Sequence, residues 1–165
     1  MELARFWRHT AMNPIQAARA FPAATLDAIQ QAIAESESRH RGEVCFVVEA
    51  ELTTAQLWAE LDSRQRARQV FALQGVWNTE ENTGVLVYVL LADRKVEVIA
   101  DRGVAAVVPQ AEWDAICATM QEAFRAGRFR EGALAGVQAA SALLETHFPA
   151  TGRGRNELPD RPVMI

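Results

Sequence analysis

The sequence predicts an α/β fold: a three-layer αβα sandwich whose central mixed sheet combines a parallel crossover with an antiparallel hairpin. Two apolar segments rich in β-branched residues, 43–50 and 84–92, suit strands that are covered on both faces. Amphipathic helical patterns lie between and around these segments. Asp93 and Arg94 form a tight reversal into a third, alternating segment at 95–101, so the third strand should run antiparallel to the second.

The helices are predicted in chain order from caps and apolar spacing. Leu26, Ile29 and Ile33 recur at helical intervals before the first strand. A capping box at 53–56 opens a second helical pattern, which the polar pair at 62–63 interrupts. After the hairpin, Pro109 opens a helix with an apolar stripe, and a last helix occupies about 131–147.

The length and composition indicate one domain. With 165 residues, half of them apolar, the chain can bury a core without a disulfide or a metal. We expect an N-terminal arm or helix at 1–20, a single α/β domain at 21–148 and a C-terminal extended or disordered tail at 149–165. The tail prediction rests on three prolines and two glycines in seventeen residues.

Charge and motif content exclude several function classes. A net charge of −4 disfavours a nucleic-acid surface, which needs a basic field to attract phosphates. The sequence has no apolar run of transmembrane length and no signal peptide, so we expect a cytoplasmic protein. Cys45 and Cys117 lie in apolar patterns and are expected to be buried hydrophobic residues. No phosphate-binding glycine loop or HExxH motif occurs.

The N-terminal segment has two interpretations. Phe6, Trp7 and Ile15, together with nearby arginines, could form a basic amphipathic segment that touches a membrane surface. The alternative is an arm that packs on the domain, and we favour it.

The predicted topology brings polar side chains together at one rim of the sheet. The first two strands start at this edge and the third ends there, so Glu43, Glu81, Asn82 and Asp101 should face it together. Their oxygens are hard ligands of the kind that Ca²⁺ and Mg²⁺ prefer, and Arg102 is suited to a carboxylate or a phosphate. The alternative is an ordinary polar rim of solvated charges and turn formers.

Two further residues and a second edge belong to the set of candidates. His40 precedes the first strand at the same rim, and Trp77 stands in the loop before the second strand, where it would border a pocket. The opposite edge corresponds to the carboxyl ends of the parallel strands, where open α/β sheets usually bind ligands. It carries four charged residues and ranks second: Glu49, Glu51, Asp93 and Arg94.

Two segments resemble a known family. The sequence ENTGVLVYVLLADRKVEVIADRGV and the later FRAGRFREGALAGVQAASALL resemble the TPM domain, found in bacteria, in thylakoid-lumen photosystem II repair proteins and in an animal acetylcholine-receptor regulator. The resemblance covers roughly 21–148. The positions that carry it are Asn82-Thr83-Gly84, Asp93-Arg94, Asp101-Arg102-Gly103, Phe124, Gly127, Phe129 and Gly132.

The resemblance implies an αβα sandwich and a range of functions. A plant member is described as an acid phosphatase, some members bind Ca²⁺ near an acidic rim, and many bacterial members are membrane-associated proteins of unknown role. This chain resembles a short, soluble bacterial-type member without a signal peptide or a transmembrane tail. Asn82 stands where the family usually has Asp, which removes one charged ligand.

These observations lead to one expected function and two alternatives. We expect a non-catalytic binding or regulatory module with a protein partner, such as a membrane protein of a membrane-linked complex, acting in the cytoplasm or peripherally at the inner membrane. The first alternative is a weak metal-assisted acid phosphatase, with Asp101 and Arg102 as catalytic candidates and Glu81, Asn82 and Asp101 around Ca²⁺ or Mg²⁺. The second is a Ca²⁺-responsive interaction domain. No cofactor is expected to be required.

Overall fold

Four strands form one mixed sheet in the computed structural model of the chain, which describes residues 2–152 and 156–165. Along the sheet the order is β3-β2-β1-β4. The strands are β1 (Glu43–Glu49), β2 (Gly84–Leu90), β3 (Lys95–Ala100) and β4 (Val163–Met164). β1 pairs parallel with β2, and β2 pairs antiparallel with β3. The predicted crossover and hairpin are therefore confirmed.

The fourth strand is a feature that the sequence pattern did not predict. Val163 and Met164 pair in parallel with Val47 and Val48, so the end of the chain covers the free edge of β1. Two residues between a proline and the chain end are too short to give a strand pattern, and the pairing depends on tertiary contact. Residues 153–155 of the predicted tail lie outside the described residues.

Eight helices are present in the described part of the chain. They are α1 (Leu3–Ala11), α2 (Pro14–Ala20), α3 (Ala23–Glu37), α4 (Thr54–Trp58), α5 (Ser63–Leu73), α6 (Arg102–Ala105), α7 (Gln110–Arg125) and α8 (Phe129–His147). Thr53 and Asp62 each form a capping box, which confirms that α4 and α5 are separate helices. None of the described helices combines the length and the apolar character that crossing a bilayer requires.

The two faces of the sheet are each covered by helices. On one face Phe46 and Val87 belong to a core with residues of α3, α7 and α8. On the other face Val47 and Leu86 belong to a second core with residues of α4 and α5. Because β1 and β2 are buried along their whole length, each large apolar side chain there contributes about 1.5–3 kcal/mol to stability. The three-layer αβα sandwich is confirmed.

The two cysteines contribute to these cores as predicted. Cys45 and Cys117 are both buried and free. They belong to different cores, on opposite faces of the sheet. Burial raises the pKa of the Cys45 thiol to about 11, so this thiol stays protonated and unreactive at neutral pH.

Candidate functional site

The loops that enter β2 and leave β3 are neighbours in space. The Gly103 amide donates a hydrogen bond to the Asn82 carbonyl oxygen at 3.0 Å, and the Arg102 Nε donates to Asn82 Oδ1 at 3.0 Å. The Asp101 amide donates to the Gly84 carbonyl oxygen at 2.8 Å. The structure thus brings together Asn82, Asp101, Arg102 and Gly103, which we call the rim cleft.

Gly103 allows this close approach because it has no side chain. A Cβ atom at this position would lie 2.6 Å from the Asn82 carbonyl oxygen and 2.8 Å from that of Glu81. Both atoms belong to the backbone and cannot move aside cheaply. Asn82 itself has a φ of 55°, in the left-handed region that asparagine tolerates better than most residues. Gly103 and Asn82 are therefore residue types that allow the backbones of the two loops to cross at close range.

Asp101 has one carboxylate oxygen that is used and one that is not. Oδ1 accepts a hydrogen bond from the Arg102 amide at 2.7 Å, and Asp101 thereby caps the start of α6. Oδ2 is buried and has no hydrogen-bond partner among the described residues. Leaving such an oxygen unsatisfied costs about 1–3 kcal/mol. This atom is therefore the clearest unfilled ligand position in the rim cleft.

The Glu81 carboxylate does not join the other groups of the rim cleft. It forms an ion pair with Arg41, whose Nε also donates to the Pro149 carbonyl oxygen at 3.1 Å. The part of Glu81 that approaches Gly103 is the backbone carbonyl. Among residues 2–152 and 156–165, no three His, Cys, Asp or Glu side chains are grouped closely enough to share a metal. The metal-binding role of Glu81, Asn82 and Asp101 stays a prediction.

A pocket of about 560 Å³ lies beside the rim cleft and is strongly acidic. It is formed by the end of α3, the start of β1, the loop before β2 and the C-terminal segment. We call it the acidic basin, and the described charged or titratable residues that line it are Glu37, His40, Arg41, Glu43, Glu80, Glu81, Glu157 and Asp160. Glu43, Glu81 and His40 are predicted rim residues. The others depend on how the helix end and the tail pack, which no local sequence signal reveals.

Burial changes the acid strength of two carboxyl groups in the basin. Glu37 accepts the Val44 amide at 3.0 Å, yet burial raises its pKa to about 9, and the nearby charges of Glu43 and Asp160 act in the same direction. Burial also raises the pKa of Glu43, whose Oε2 accepts the Leu158 amide at 3.1 Å. Glu37 therefore holds a proton at neutral pH.

His40 and Trp77 occupy different surroundings. His40 is 2% exposed, and neither ring nitrogen makes a hydrogen bond of normal geometry with a described residue. Burial lowers the pKa of His40, although the Gly42 backbone partly opposes this effect, so the ring is neutral at pH 7. Trp77 is 56% exposed, and its indole N–H donates to the Ala72 carbonyl oxygen at 3.3 Å. It does not line the acidic basin.

Two of the three acids predicted at the opposite sheet edge, Asp93 and Glu49, are held in structural contacts, whereas Glu51 Oε2 is buried without a hydrogen-bond partner among the described residues. Arg5 Nε of α1 donates to both carboxylate oxygens of Asp93, at 3.2 Å to Oδ1 and 2.9 Å to Oδ2, and a terminal nitrogen of Arg5 donates to Oδ2 at 2.7 Å. His9 Nε2 lies 3.1 Å from Oδ1 of the same carboxylate. The Leu52 amide donates to His9 Nδ1 at 2.9 Å, which places the ring proton on Nε2, facing Asp93. α1 is therefore packed on the domain, the interpretation favoured from sequence.

Glu49 is held in the same way on the α5 face. Arg66 donates to both of its oxygens, and the Tyr88 hydroxyl donates to Oε2 at 2.5 Å. Of the four residues predicted at this edge, Asp93 and Glu49 therefore hold elements together, and neither carboxylate is open to a ligand. Arg94 makes no such contact with a described residue and lines a separate groove.

The fold and the rim define the class: a small αβα sandwich with a polar cleft where two loops cross at one sheet edge. The TPM domain profile matches residues 15–143, and the chain belongs to this family. The resemblance stated from sequence is therefore confirmed. No curated protein gives a significant match.

Two solved structures are similar over most of their length. The BA42 protein of the psychrophilic bacterium Bizionia argentinensis has a TM-score of 0.73 and 28% identity, with 88% of this chain and 95% of that chain covered. The N-terminal domain of a P. gingivalis protein has a TM-score of 0.62 and 19% identity, with 84% and 92% covered. The second likeness concerns the fold alone.

Proposed function

We propose that this TPM domain is a non-catalytic binding module that accepts a hard divalent cation, most simply Ca²⁺, in the rim cleft. The observation that carries the proposal is Asp101 Oδ2, a buried oxygen without a partner among the described residues. The Asn82 carboxamide oxygen and the Glu81 and Asn82 carbonyl oxygens lie around the same backbone crossing. Oxygens of these types are the usual ligands of Ca²⁺.

We expect the proposed site to bind Ca²⁺ with low affinity. Within the described part of the chain, Asp101 supplies the only carboxylate at the crossing itself, because the Glu81 carboxylate pairs with Arg41. Water molecules would complete the six to eight ligands that Ca²⁺ usually takes. A site with so few charged ligands belongs near the weak end of the protein range, with a Kd of about 10⁻⁴ to 10⁻³ M.

An exposed apolar surface next to the rim supports a protein partner. Trp77 is 56% exposed and Leu73, at the end of α5, is 73% exposed. Both precede the loop that carries Asn82, so a cation that orders this loop would act on the surface beside it. Exposed tryptophans are enriched at the centres of protein interfaces. We propose a partner in a membrane-linked complex, as expected from the resemblance.

Calcium titration followed by amide NMR tests the cation site. We expect shifts centred on residues 81–84 and 101–103, and their loss in Asp101→Asn. This variant keeps Oδ1 as the acceptor that caps the start of α6 and removes one negative charge. Asp114→Asn, at an exposed position of α7, is the matched control and should titrate like the unchanged protein. Unperturbed rim amides at millimolar Ca²⁺ would overturn the cation proposal.

Site-specific crosslinking tests the partner surface. A photo-crosslinker placed beside Trp77 should capture one defined protein from native membranes, and capture should fall at least severalfold in a Trp77→Ser background. The same crosslinker beside Trp58, which is 65% exposed on α4, is the control. Equal capture at the two positions would contradict a specific surface at Trp77.

The phosphatase alternative has one supporting observation. Arg102 uses Nε on Asn82, and its terminal nitrogens make no hydrogen bond to a described residue. They are therefore available to a phosphate beside a cation on Asp101. Hydrolysis of p-nitrophenyl phosphate should then fall by about tenfold or more in Asp101→Ala and in Arg102→Ala. Hydrolysis that both variants leave unchanged would remove the rim cleft from any phosphatase activity.

A further inference from the structure

A second groove opens at the other end of the sheet, next to the carboxyl end of β2. It has a volume of about 550 Å³. Its apolar surface includes Leu91, Phe124 and Phe129, and the two phenylalanine rings are stacked with their centroids 5.3 Å apart. Small-molecule sites typically measure about 300–1,000 Å³ and have mostly apolar walls. The carboxyl ends of parallel strands are also where open α/β sheets usually bind ligands.

The charges around this groove are all positive. Arg19 of α2, Arg94 of the β2–β3 turn and Arg125 of α7 line it, and no Asp or Glu within 2–152 or 156–165 does. None of the three forms an ion pair or a side-chain hydrogen bond with a described residue, whereas Arg5 and Arg66 are both held by carboxylates. In a chain of net charge −4, three unpaired guanidinium groups around an apolar floor form a local anion-attracting site.

The backbone at Arg94 gives a further indication. Its φ is 53°, a left-handed conformation that glycine and asparagine adopt more cheaply. Glycine would therefore suit the turn itself at least as well. An arginine at this position is better explained by what its side chain offers to the groove than by the needs of the hairpin.

We propose that the groove binds a small amphiphilic organic anion, whose apolar chain or ring rests on Phe124, Phe129 and Leu91 while the arginines hold its carboxylate or phosphate. Guanidinium groups bind such anions through paired, charge-assisted hydrogen bonds, and the stacked rings supply an apolar face. This site is distinct from the rim cleft. Its occupation does not depend on a cation or on the proposed partner.

Ligand pairs that differ in one feature test this chemistry. Octanoate and octyl phosphate carry both the chain and the anion, octan-1-ol carries only the chain, and inorganic phosphate carries only the anion. In NMR titrations of the full chain, at least one amphiphile should shift the amides of residues 89–94 and 124–129. Octan-1-ol and inorganic phosphate should bind at least about tenfold more weakly, since each lacks one set of contacts.

The relative affinities of the two amphiphiles identify the head group. Tighter octanoate binding assigns a carboxylate ligand, and tighter octyl phosphate binding assigns a phosphate ester. No groove shift with either amphiphile, or equal affinity for octan-1-ol, would overturn the proposal.

Arg94→Gly separates a binding role from a structural one. Glycine suits the left-handed turn, so the variant should unfold at the same or a higher temperature. It should nevertheless bind the preferred amphiphile about tenfold more weakly, as should Arg125→Ala. Arg68→Ala, at an exposed position of α5, controls for the loss of one positive charge and should bind normally. Unchanged affinity in a stably folded Arg94→Gly would contradict the assignment.

Discussion

Gly103 shows how one residue decides whether the two rim loops can meet. We expect Gly103→Ala to lower the free energy of unfolding by about 1–3 kcal/mol, because its Cβ would press against two backbone oxygens. Urea unfolding measures the change. Ala106→Ser adds one heavy atom at an exposed position nearby and should stay within about 0.5 kcal/mol of the unchanged protein. Equal stability of the two variants would mean that the crossing is looser than described.

Glu37 supplies a pH-dependent prediction at the same scale. Its pKa is about 9 in the folded chain against an ordinary value of 4.5, so the unfolded chain loses this proton at a lower pH than the folded chain does. The contribution of the protonated Glu37 to the free energy of unfolding is therefore fully present below about pH 4.5, and it declines as the pH rises towards 9. Glu37→Gln keeps a neutral hydrogen-bonding group, and it should raise the free energy of unfolding at pH 8 by an amount on the order of 2 kcal/mol, allowing for partial exposure.

Denaturant unfolding at pH 4 and pH 8 checks the Glu37 prediction. The variant and the unchanged protein should be similar at pH 4 and differ at pH 8. Glu35→Gln, two residues earlier on the exposed side of α3, is the control and should show no such divergence. Parallel pH profiles for Glu37→Gln would contradict the buried, protonated carboxyl group.

These residue-scale features were only partly predictable. Asn82, Asp101 and Arg102 could be placed together because the hairpin fixes which strand ends meet. Glu37 and Asp160 could not, because Glu37 ends α3 and Asp160 lies in the C-terminal tail, and only tertiary packing brings them to one pocket. The direction of the Glu81 carboxylate was equally hidden, since Arg41 lies forty residues away in sequence.

At the scale of elements, the attachment of α1 depends on one buried carboxylate. The Asp93 side chain is 8% exposed, and its carboxylate contacts the side chains of Arg5 and His9. Asp93→Asn leaves the Arg5 charge without its partner, so we expect a loss of about 2–4 kcal/mol at pH 7. The rate of amide hydrogen exchange in α1 should increase in the same variant. Asp114→Asn is the exposed control, and a neutral effect of Asp93→Asn would mean that apolar packing alone holds α1.

The pH dependence of this contact has the opposite sign to that of Glu37. Burial opposes ionisation of Asp93, but Arg5 and His9 outweigh it and keep its pKa below the usual 3.8. The stabilisation is therefore present above about pH 3.8 and is lost as the pH falls through the lower value of the folded chain. The difference between Asp93→Asn and the unchanged protein should shrink on acidification below pH 3.8, which unfolding at low pH will measure.

Element prediction succeeded where the sequence pattern was long. β1 and β2 carry continuous apolar runs, and the capping box at Thr53 marks the start of α4. The polar pair at 62–63 was predicted as an interruption, and the structure shows that Asp62 caps the next helix, α5. α6 and β4 were missed because four and two residues are too few for any periodicity to appear. β4 exists because β1 leaves an unpaired edge, and that edge is visible only once the sheet is assembled.

At the scale of the whole molecule, the sheet separates two sites of opposite charge. The rim cleft and the acidic basin lie where β1 and β2 begin, and the arginine-lined groove lies where β2 ends. The sequence predicted the first end from the ordering of strands and from the family resemblance. The groove was predicted only in part: the sequence ranked the carboxyl ends of the parallel strands, with Arg94, as a second ligand site, but the walls from α2 and α7 are distant in sequence and were not predicted.

The central claim is that the rim cleft, rather than the acidic basin, is where a cation binds. A crystal structure of the chain grown with Ca²⁺ tests it most directly, with Asp101→Asn crystallised under the same conditions. We predict a cation about 2.3–2.6 Å from Asp101 Oδ2 that is absent from the variant. A cation held instead by Glu37 and Glu43, or the same cation in both crystals, would contradict the claim.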